Sequence, residues 1–258
     1  MTTTEPSQPW WTELYDDLLA TMLLERTDRA EVDGTVAFLV RTLGLAPGAR
    51  VLDQCCGIGS LSLPLAAAGH SVVAVDQSAA YVARASLEAS ARGLTIEATA
   101  ADACTFTARP AVNAAFNWWT SFGYAATDAE NLEMLRRAFD SLVPGGRFAL
   151  DTLNVPGVLR GFARDVVTRR AIEGGELVLH RESRVDLATG TLHKRWCYFL
   201  PDGRRVEHPS TVRLYMPHTL IELLRAAGFG EVELFGSVAG GPLELDSPRC
   251  IAVATRPR

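Results

Sequence analysis

Arg50-Val51-Leu52-Asp53-Gln54-Cys55-Cys56-Gly57-Ile58-Gly59 is the stretch that decides the reading of this chain. A short apolar strand ends in an acid, and the chain then turns through small residues. Ser60 to Ala68 follows with the composition of a helix, and Gly69 stops it. Small residues between a strand and a helix let backbone amides approach a ligand that a larger side chain would push away. Alone, such a turn is equally well a tight connection that holds nothing.

The continuation narrows the choice. Ser71 to Val75 is a second strand, and it ends in Asp76. That acid lies about twenty residues beyond the glycine-rich turn, the spacing at which a carboxylate meets a ribose in nucleotide-binding βαβ units. Ala79 to Arg92 has the apolar spacing of a helix and stops at Gly93, and a third strand near Leu94 to Thr99 leads to Asp102. Three strands ending in Asp53, Asp76 and Asp102 would place three acids on one edge of a parallel sheet.

A dinucleotide brings a pyrophosphate, which such a rim would repel, and Ser62 stands where G-x-G-x-x-G wants a Gly or Ala. A phosphate-free nucleoside carrying positive charge suits the acids better. On these residues the chain resembles the class I S-adenosylmethionine-dependent methyltransferases. The resemblance covers Val51 to Gly59, Val73 to Gln77, Ala101-Asp102-Ala103, Phe116-Asn117-Trp118 and Leu142-Val143-Pro144-Gly145-Gly146, in that order. It implies that Asp53 and the Gly57 turn receive the methionine end of S-adenosyl-L-methionine. Asp76 would take the ribose hydroxyls, with Gln77 beside the adenine. Asp102 would accept the adenine amino group near the Ala103 amide, and the Asn117 backbone would meet the methionyl portion. Cys55 departs from the pattern, standing where many members place the first glycine of the loop.

The implied fold is α/β: a Rossmann-like doubly wound seven-stranded sheet with a C-terminal antiparallel hairpin and a small inserted antiparallel sheet. Residues 1–44 read as an N-terminal helical cap, 45–159 and 216–258 as the cofactor-binding domain, and 160–215 as the insertion. In the cap, Trp11, Leu14, Leu18 and Met22 recur at helical spacing from Trp10 to Leu24, and a second helix spans Arg29 to Leu43 before Gly44. Tyr15 and Arg26 are candidates to meet the cofactor carboxylate, since a phenol and a guanidinium supply the donors it needs.

The fourth strand, near Val112 to Asn117, runs into Trp118-Trp119-Thr120-Ser121-Phe122-Gly123-Tyr124. Aromatic residues beside small hydroxyls suit a pocket for a small organic molecule, and the block also resembles small-molecule methyltransferases of bacterial secondary metabolism. Trp118, Trp119 and Phe122 are therefore substrate-binding candidates, and Tyr124 is a catalytic one. A helix from Ala129 to Leu142 leads through Pro144-Gly145-Gly146 to a fifth strand, Arg147 to Leu150, ending in Asp151. From about Arg160 to Tyr215 alternation and turn signals read as three or four antiparallel strands, a substrate roof or a dimer contact. On one of them Leu192, Trp196 and Tyr198 share a face opposite His193, Arg195 and Cys197. His193 is the second catalytic candidate. Pro217 opens a last helix, and strands at Val232 to Phe235 and Cys250 to Thr255 close the chain.

Composition bounds the partners. The 258 residues carry a formal charge of −5, which argues against a nucleic acid, and 48% are hydrophobic, enough for a sizeable core. The chain has no run of bilayer length and no basic-then-apolar leader, so a cytoplasmic location without a membrane partner is expected. Five cysteines form no C-x-x-C pair, and no carboxylate or histidine cluster suggests a metal. The expected activity is methyl transfer to a small molecule in natural-product biosynthesis; a homodimer stays open. The alternatives are a cofactor binder that does not methylate, cyclase-like or regulatory, and a nicotinamide-dependent oxidoreductase.

Overall fold

In the computed structural model, which describes residues 9–26 and 28–258, β1 (Arg50–Gln54), β2 (Ser71–Asp76), β3 (Ile96–Ala100), β4 (Val112–Asn117) and β5 (Leu142–Thr152) run parallel. The sheet is completed by β10 (Val232–Phe235) and β11 (Cys250–Thr255), with β11 antiparallel to both β5 and β10. The order is β10-β11-β5-β4-β1-β2-β3. From β1 the chain winds outward one way to β3, then returns to place β4 on the other side of β1. The carboxyl ends of β1 and β4 therefore flank the switch point at which open α/β sheets bind ligands.

These strands are apolar on both faces because helices cover both. Val51, Ala74, Phe116 and Ile251 meet the side carrying α3 (Arg29–Leu43) and α4 (Ser62–Ala67). Leu52, Val75, Phe148 and Leu150 meet the side carrying α6 (Asp128–Ser141) and α8 (Pro217–Ala226). The remaining helices of this unit are α5 (Ala79–Ala91) and α7 (Val155–Arg160). α3 has the bounds its sequence predicts. Asp28 accepts the Ala30 and Glu31 amides at its start, and left-handed Gly44 ends it.

The chain divides into a larger unit, residues 26–161 and 214–258, and a smaller one holding 162–213 together with the described residues 9–25. This redraws the expected boundary: residues 1–44 are not one cap, since α3 belongs to the larger unit. The smaller unit contains β6 (Asp165–Ile172), β7 (Gly175–Asp186), β8 (Thr191–Phe199) and β9 (Arg205–Arg213), a four-stranded antiparallel meander. One face buries Leu177, Leu179, Trp196 and Tyr198 with Leu14, Leu19 and Met22. The expected helix from Trp10 to Leu24 is broken into α1 (Trp11–Leu14), α2 (Asp17–Leu19) and a π-helical turn, Ala20–Leu24. Asp16 causes the break, since its extended backbone lets its carboxylate cap the Leu19 amide.

Two further expectations shift. The helix after the first turn starts at Ser62 rather than Ser60. Pro144-Gly145-Gly146 is not a loop before β5 but a bulge within it, with the β4–β5 register shifting beside it. Gly145 takes φ +80°, and a Cβ on Gly146 would come within 2.9 Å of the Asn113 and Val143 carbonyl oxygens. Gly146→Ala is expected to destabilise the chain by about 1–3 kcal/mol through that clash. Urea unfolding of the variant checks this, and an unchanged midpoint would show that the bulge does not need the glycine.

Candidate functional site

The turn after β1 is wound through left-handed backbone at Cys55, Gly57 and Gly59, with φ of +67°, +54° and +85°. Cys55 therefore occupies a conformation that glycine adopts freely and that costs a side-chain-bearing residue about 1–2 kcal/mol. Two bonds pin the turn to β2: the Cys56 amide donates to the Val75 carbonyl and the Gly57 amide to Asp76 Oδ2, both at 2.9 Å. The other Asp76 oxygen, Oδ1, accepts the Ser78 amide at 2.9 Å, just before α5. Each Asp76 oxygen thus keeps a further lone pair for an outside donor. Burial raises Asp76 above the usual carboxylate range, against the pull of those two amides.

Asp53 does not share that accessibility. It is 3% exposed and accepts a 2.6 Å hydrogen bond from Ser62 Oγ. Burial pushes its pKa up to about 7, with the Ser62 bond opposing the rise. The expected open row of three acids is therefore two acids at the rim and one sealed beneath the turn. Asp102 is exposed and accepts the Cys104 amide at 2.7 Å. Gln77 is exposed, while Ala103 is buried with its carbonyl facing Gln54 Nε2 at 3.4 Å. The Cys55, Cys56 and Cys104 thiols are all pushed up by burial, so none supplies a thiolate.

At the end of β4 the Asn117 side chain is buried. Its amide nitrogen reaches Gln54 Oε1 at 3.3 Å and Met134 Sδ at 3.5 Å, and its Oδ1 has no donor among the described residues. The aromatic block that follows separates into two roles. Trp118, 5% exposed, packs in the core 6.0 Å from Phe38, and Phe122, 0% exposed, lies 5.3 Å from Tyr215. Both are core side chains rather than the pocket lining expected of them. They fill opposite faces of the sheet, Trp118 the α3–α4 side and Phe122 the α6–α8 side, and burying each ring there outweighs a role at the sheet's edge. Trp119 and Tyr124 stay half-buried.

Trp119 and Thr120 are both left-handed, with φ of +56° and +64°, a state costing of order 1–3 kcal/mol per residue unless the surroundings impose it. Here they do. Asp151, 1% exposed at the end of β5, accepts the Trp119 amide at 2.9 Å on Oδ2, and its carbonyl accepts the Thr120 amide at 3.2 Å. Arg249 clamps Asp151 with bonds of 2.7 and 2.5 Å and also donates to Thr120 Oγ1 at 2.8 Å. Arg26 lies over the Trp119 ring, 4.1 Å from its centroid, with a buried Nε that has no acceptor. Sequence reasoning assigned no part to Asp151 or Arg249. A strand-end acid was visible in Asp151, but nothing in the glycine- and proline-rich stretch before Cys250 marks Arg249.

Two candidates lie in the smaller unit. Tyr15 is partly buried against its apolar cluster. His193, contrary to its expected catalytic part, shares the face of β8 that carries ion pairs, Arg195 to Glu182 at 2.7 Å and to Glu207 at 3.7 Å. Strand alternation puts it opposite the face that buries Trp196 and Tyr198.

Residues 51–146 match a family profile described as a methyltransferase domain. The chain has a methyltransferase fold. It is similar to the CcbJ methyltransferase from Streptomyces caelestis, with a TM-score of 0.77 at 21% identity over 95% of this chain and 98% of that one. It is also similar to the sugar N-methyltransferase KedS8 from Streptoalloteichus, at 0.72 and 20% over 100% and 97%. CalS10 from Micromonospora echinaspora, an amino pentose methyltransferase solved with S-adenosylmethionine bound, gives 0.68 and 20% over 99% and 100%. An uncharacterised protein of Mycobacterium tuberculosis is 38% identical over 65 residues, 25% of this chain and 24% of that protein. A 23S rRNA uracil methyltransferase of Halomonas elongata is 40% identical over 79 residues, 30% and 16% respectively. This chain thus spans a quarter or less of the length of these curated relatives.

The sealed acid of that fold has a pH signature. Because Asp53 is harder to ionise folded than unfolded, stability falls as pH rises from about 4 towards 7. Asp53→Asn, which keeps an acceptor for Ser62, is expected to stabilise the chain by about 2–4 kcal/mol at pH 8 and little at pH 4. Melting temperatures at the two values check the sign; equal gains at both would put Asp53 in an ordinary environment.

Proposed function

We propose that this chain transfers a methyl group from S-adenosylmethionine to a small organic molecule, as a biosynthetic enzyme of the cytoplasm. The observation that carries the reading is the Asp76 carboxylate at the tip of β2. It is bonded once on each oxygen, to the Gly57 and Ser78 amides, and a lone pair remains on each for the two ribose hydroxyls. The residues present fit such a nucleoside. Asp102 lies exposed beyond β3 for the adenine amino group, with Gln77 exposed beside it. Asn117 Oδ1 is a buried acceptor without a donor at the switch point, suited to an ammonium. The Arg26 guanidinium, half-buried and short of an acceptor at Nε, suits the cofactor carboxylate. Asp53 acts from beneath, as a carboxylate whose ionisation a cationic ligand would favour.

The cofactor supplies an activated methyl on a sulfonium. What the chain adds is alignment of an acceptor with that carbon. The fixed backbone at Trp119 and Thr120 presents one half-buried indole at the end of β4, and half-buried Tyr124 closes the same block. Tyr124 would orient the acceptor or take its proton; a neutral amine needs only the first of these. An amine or hydroxyl acceptor agrees with the likeness to KedS8, a sugar N-methyltransferase, and to CalS10, an amino pentose methyltransferase. A cofactor binder without transfer would share the Asp76 geometry but not a need for Tyr124.

Asp76→Ala is expected to weaken S-adenosylhomocysteine binding by about 1–3 kcal/mol in calorimetry, through loss of charged hydrogen bonds. Affinity equal to that of the unaltered chain would remove the ribose assignment. With labelled cofactor and amino- or hydroxyl-bearing acceptors, Tyr124→Phe should lower turnover while leaving S-adenosylhomocysteine affinity nearly as it was. Tight binding with no transfer to any acceptor by the unaltered chain would favour the binding module.

A further inference from the structure

Lys194 is the only lysine in a chain whose lysines and arginines number 25. It stands on β8, on the face of the smaller unit's sheet that buries Trp196 and Tyr198, opposite Ser183 on β7 and Ser210 on β9. Arg181, on β7 opposite Trp196, shares that face. The two cations flank one indole: Arg181 Cζ is 5.5 Å and Lys194 Nζ 5.6 Å from the Trp196 ring centroid. Both are half-buried.

Other arginines of this unit have carboxylate partners, among them Arg164 and Arg195 on Glu182, Arg169 on Glu176 and Arg170 on Glu25. Among the described residues neither Arg181 nor Lys194 has one. Asp16, whose charge reaches Tyr198, is bonded to His208 at 3.2 Å and to the Leu19 amide. Two polar groups of the cluster are also unpartnered. Among the described residues, buried Arg181 Nε has no acceptor and the hydroxyl of Tyr198, a residue 0% exposed, has no partner. The Trp196 indole N–H is spent on Ser210 Oγ at 2.7 Å, which leaves the Ser210 proton free to turn elsewhere.

Two like charges held side by side out of water are unfavourable unless something negative joins them. The cluster offers a guanidinium fork, an ammonium and hydroxyl donors, and Asp16, whose charge reaches Tyr198, is already engaged by His208 and the Leu19 amide. We propose that Arg181, Lys194, Ser210 and Tyr198 form an anion site that takes a carboxylate or phosphate group carried by a small molecule. That the molecule is the methyl acceptor rests on the function proposed above; the anion site itself does not. Burial and the neighbouring charge of Arg181 hold the Lys194 ammonium down at about 8, the direction a bound anion reverses.

A single lysine makes the test direct. The intact chain is treated at pH 8 with limiting acetic anhydride, and acetylation of Lys194 is followed by mass spectrometry against added Nα-acetyl-lysine amide. Inorganic phosphate and acetate are compared with sodium chloride at equal ionic strength. Phosphate, acetate or both should slow Lys194 acetylation at least about fivefold near saturation by simple mass action, with chloride ineffective. Protection by phosphate alone assigns a phosphoryl group, and protection by acetate alone a carboxylate. Arg181→Gln should abolish the protection while Lys194 stays reactive. Should that variant not fold, Trp196 emission in the unaltered chain, assigned by difference from Trp196→Phe, should respond to the same anions. Equal acetylation rates in all three salts overturn the site, as does protection that survives in folded Arg181→Gln. S-adenosylhomocysteine binding by the same preparation separates the two readings: protection without cofactor binding sinks methyl transfer alone, and binding without protection sinks the anion site alone.

Discussion

One backbone amide sets the geometry on which the larger unit's site depends. When Gly57 donates to Asp76, the turn after β1 is tied to the tip of β2, and the carboxylate is aimed along the sheet edge rather than into solvent. The Ser78 amide fixes the other oxygen, so the acid is oriented from two elements at once. A charged acceptor held by two amides in a half-buried place keeps its direction without an ion pair to neutralise it. The left-handed turns at Cys55 and Gly57 follow from the same tie, because only that path brings the Gly57 amide to Asp76.

The second fixed point is the Asp151–Arg249 pair. A buried ion pair is a poor source of stability in general, since desolvation offsets much of its attraction. Here it holds a backbone that its own residues do not favour, two consecutive left-handed positions of which one is a tryptophan. Its contribution is shape rather than net stability.

Much of this was legible in the residues. Short apolar runs ending in acids made the first parallel strands plain. Gly44 marked the end of α3, while the Asp28 cap at its start came to light only in the structure. Strand-end acids at the expected interval pointed to the sheet edge where the candidate site lies. What was not legible depended on partners far away in the chain or on depth. Asp53 reads like its two neighbours, yet Ser62 and the turn seal it. Trp118 and Phe122 look like a pocket because composition cannot tell a ring beneath the sheet from one at its rim. Arg249 gives no local sign, because its meaning comes from Asp151, distant in sequence. The break at Asp16 was hidden by a helical apolar spacing that continues across it, although the short polar side chain that causes it was in plain view.

The path at Trp119 is held through its amide, while its indole lies against Arg26 and outside the clamp; Thr120, by contrast, lends its hydroxyl to the clamp. Position 119 is therefore a socket whose fitting can be exchanged while the mounting stays put. Under the function proposed above, replacing that one ring would vary what the site accepts, with the buried pair behind it kept constant.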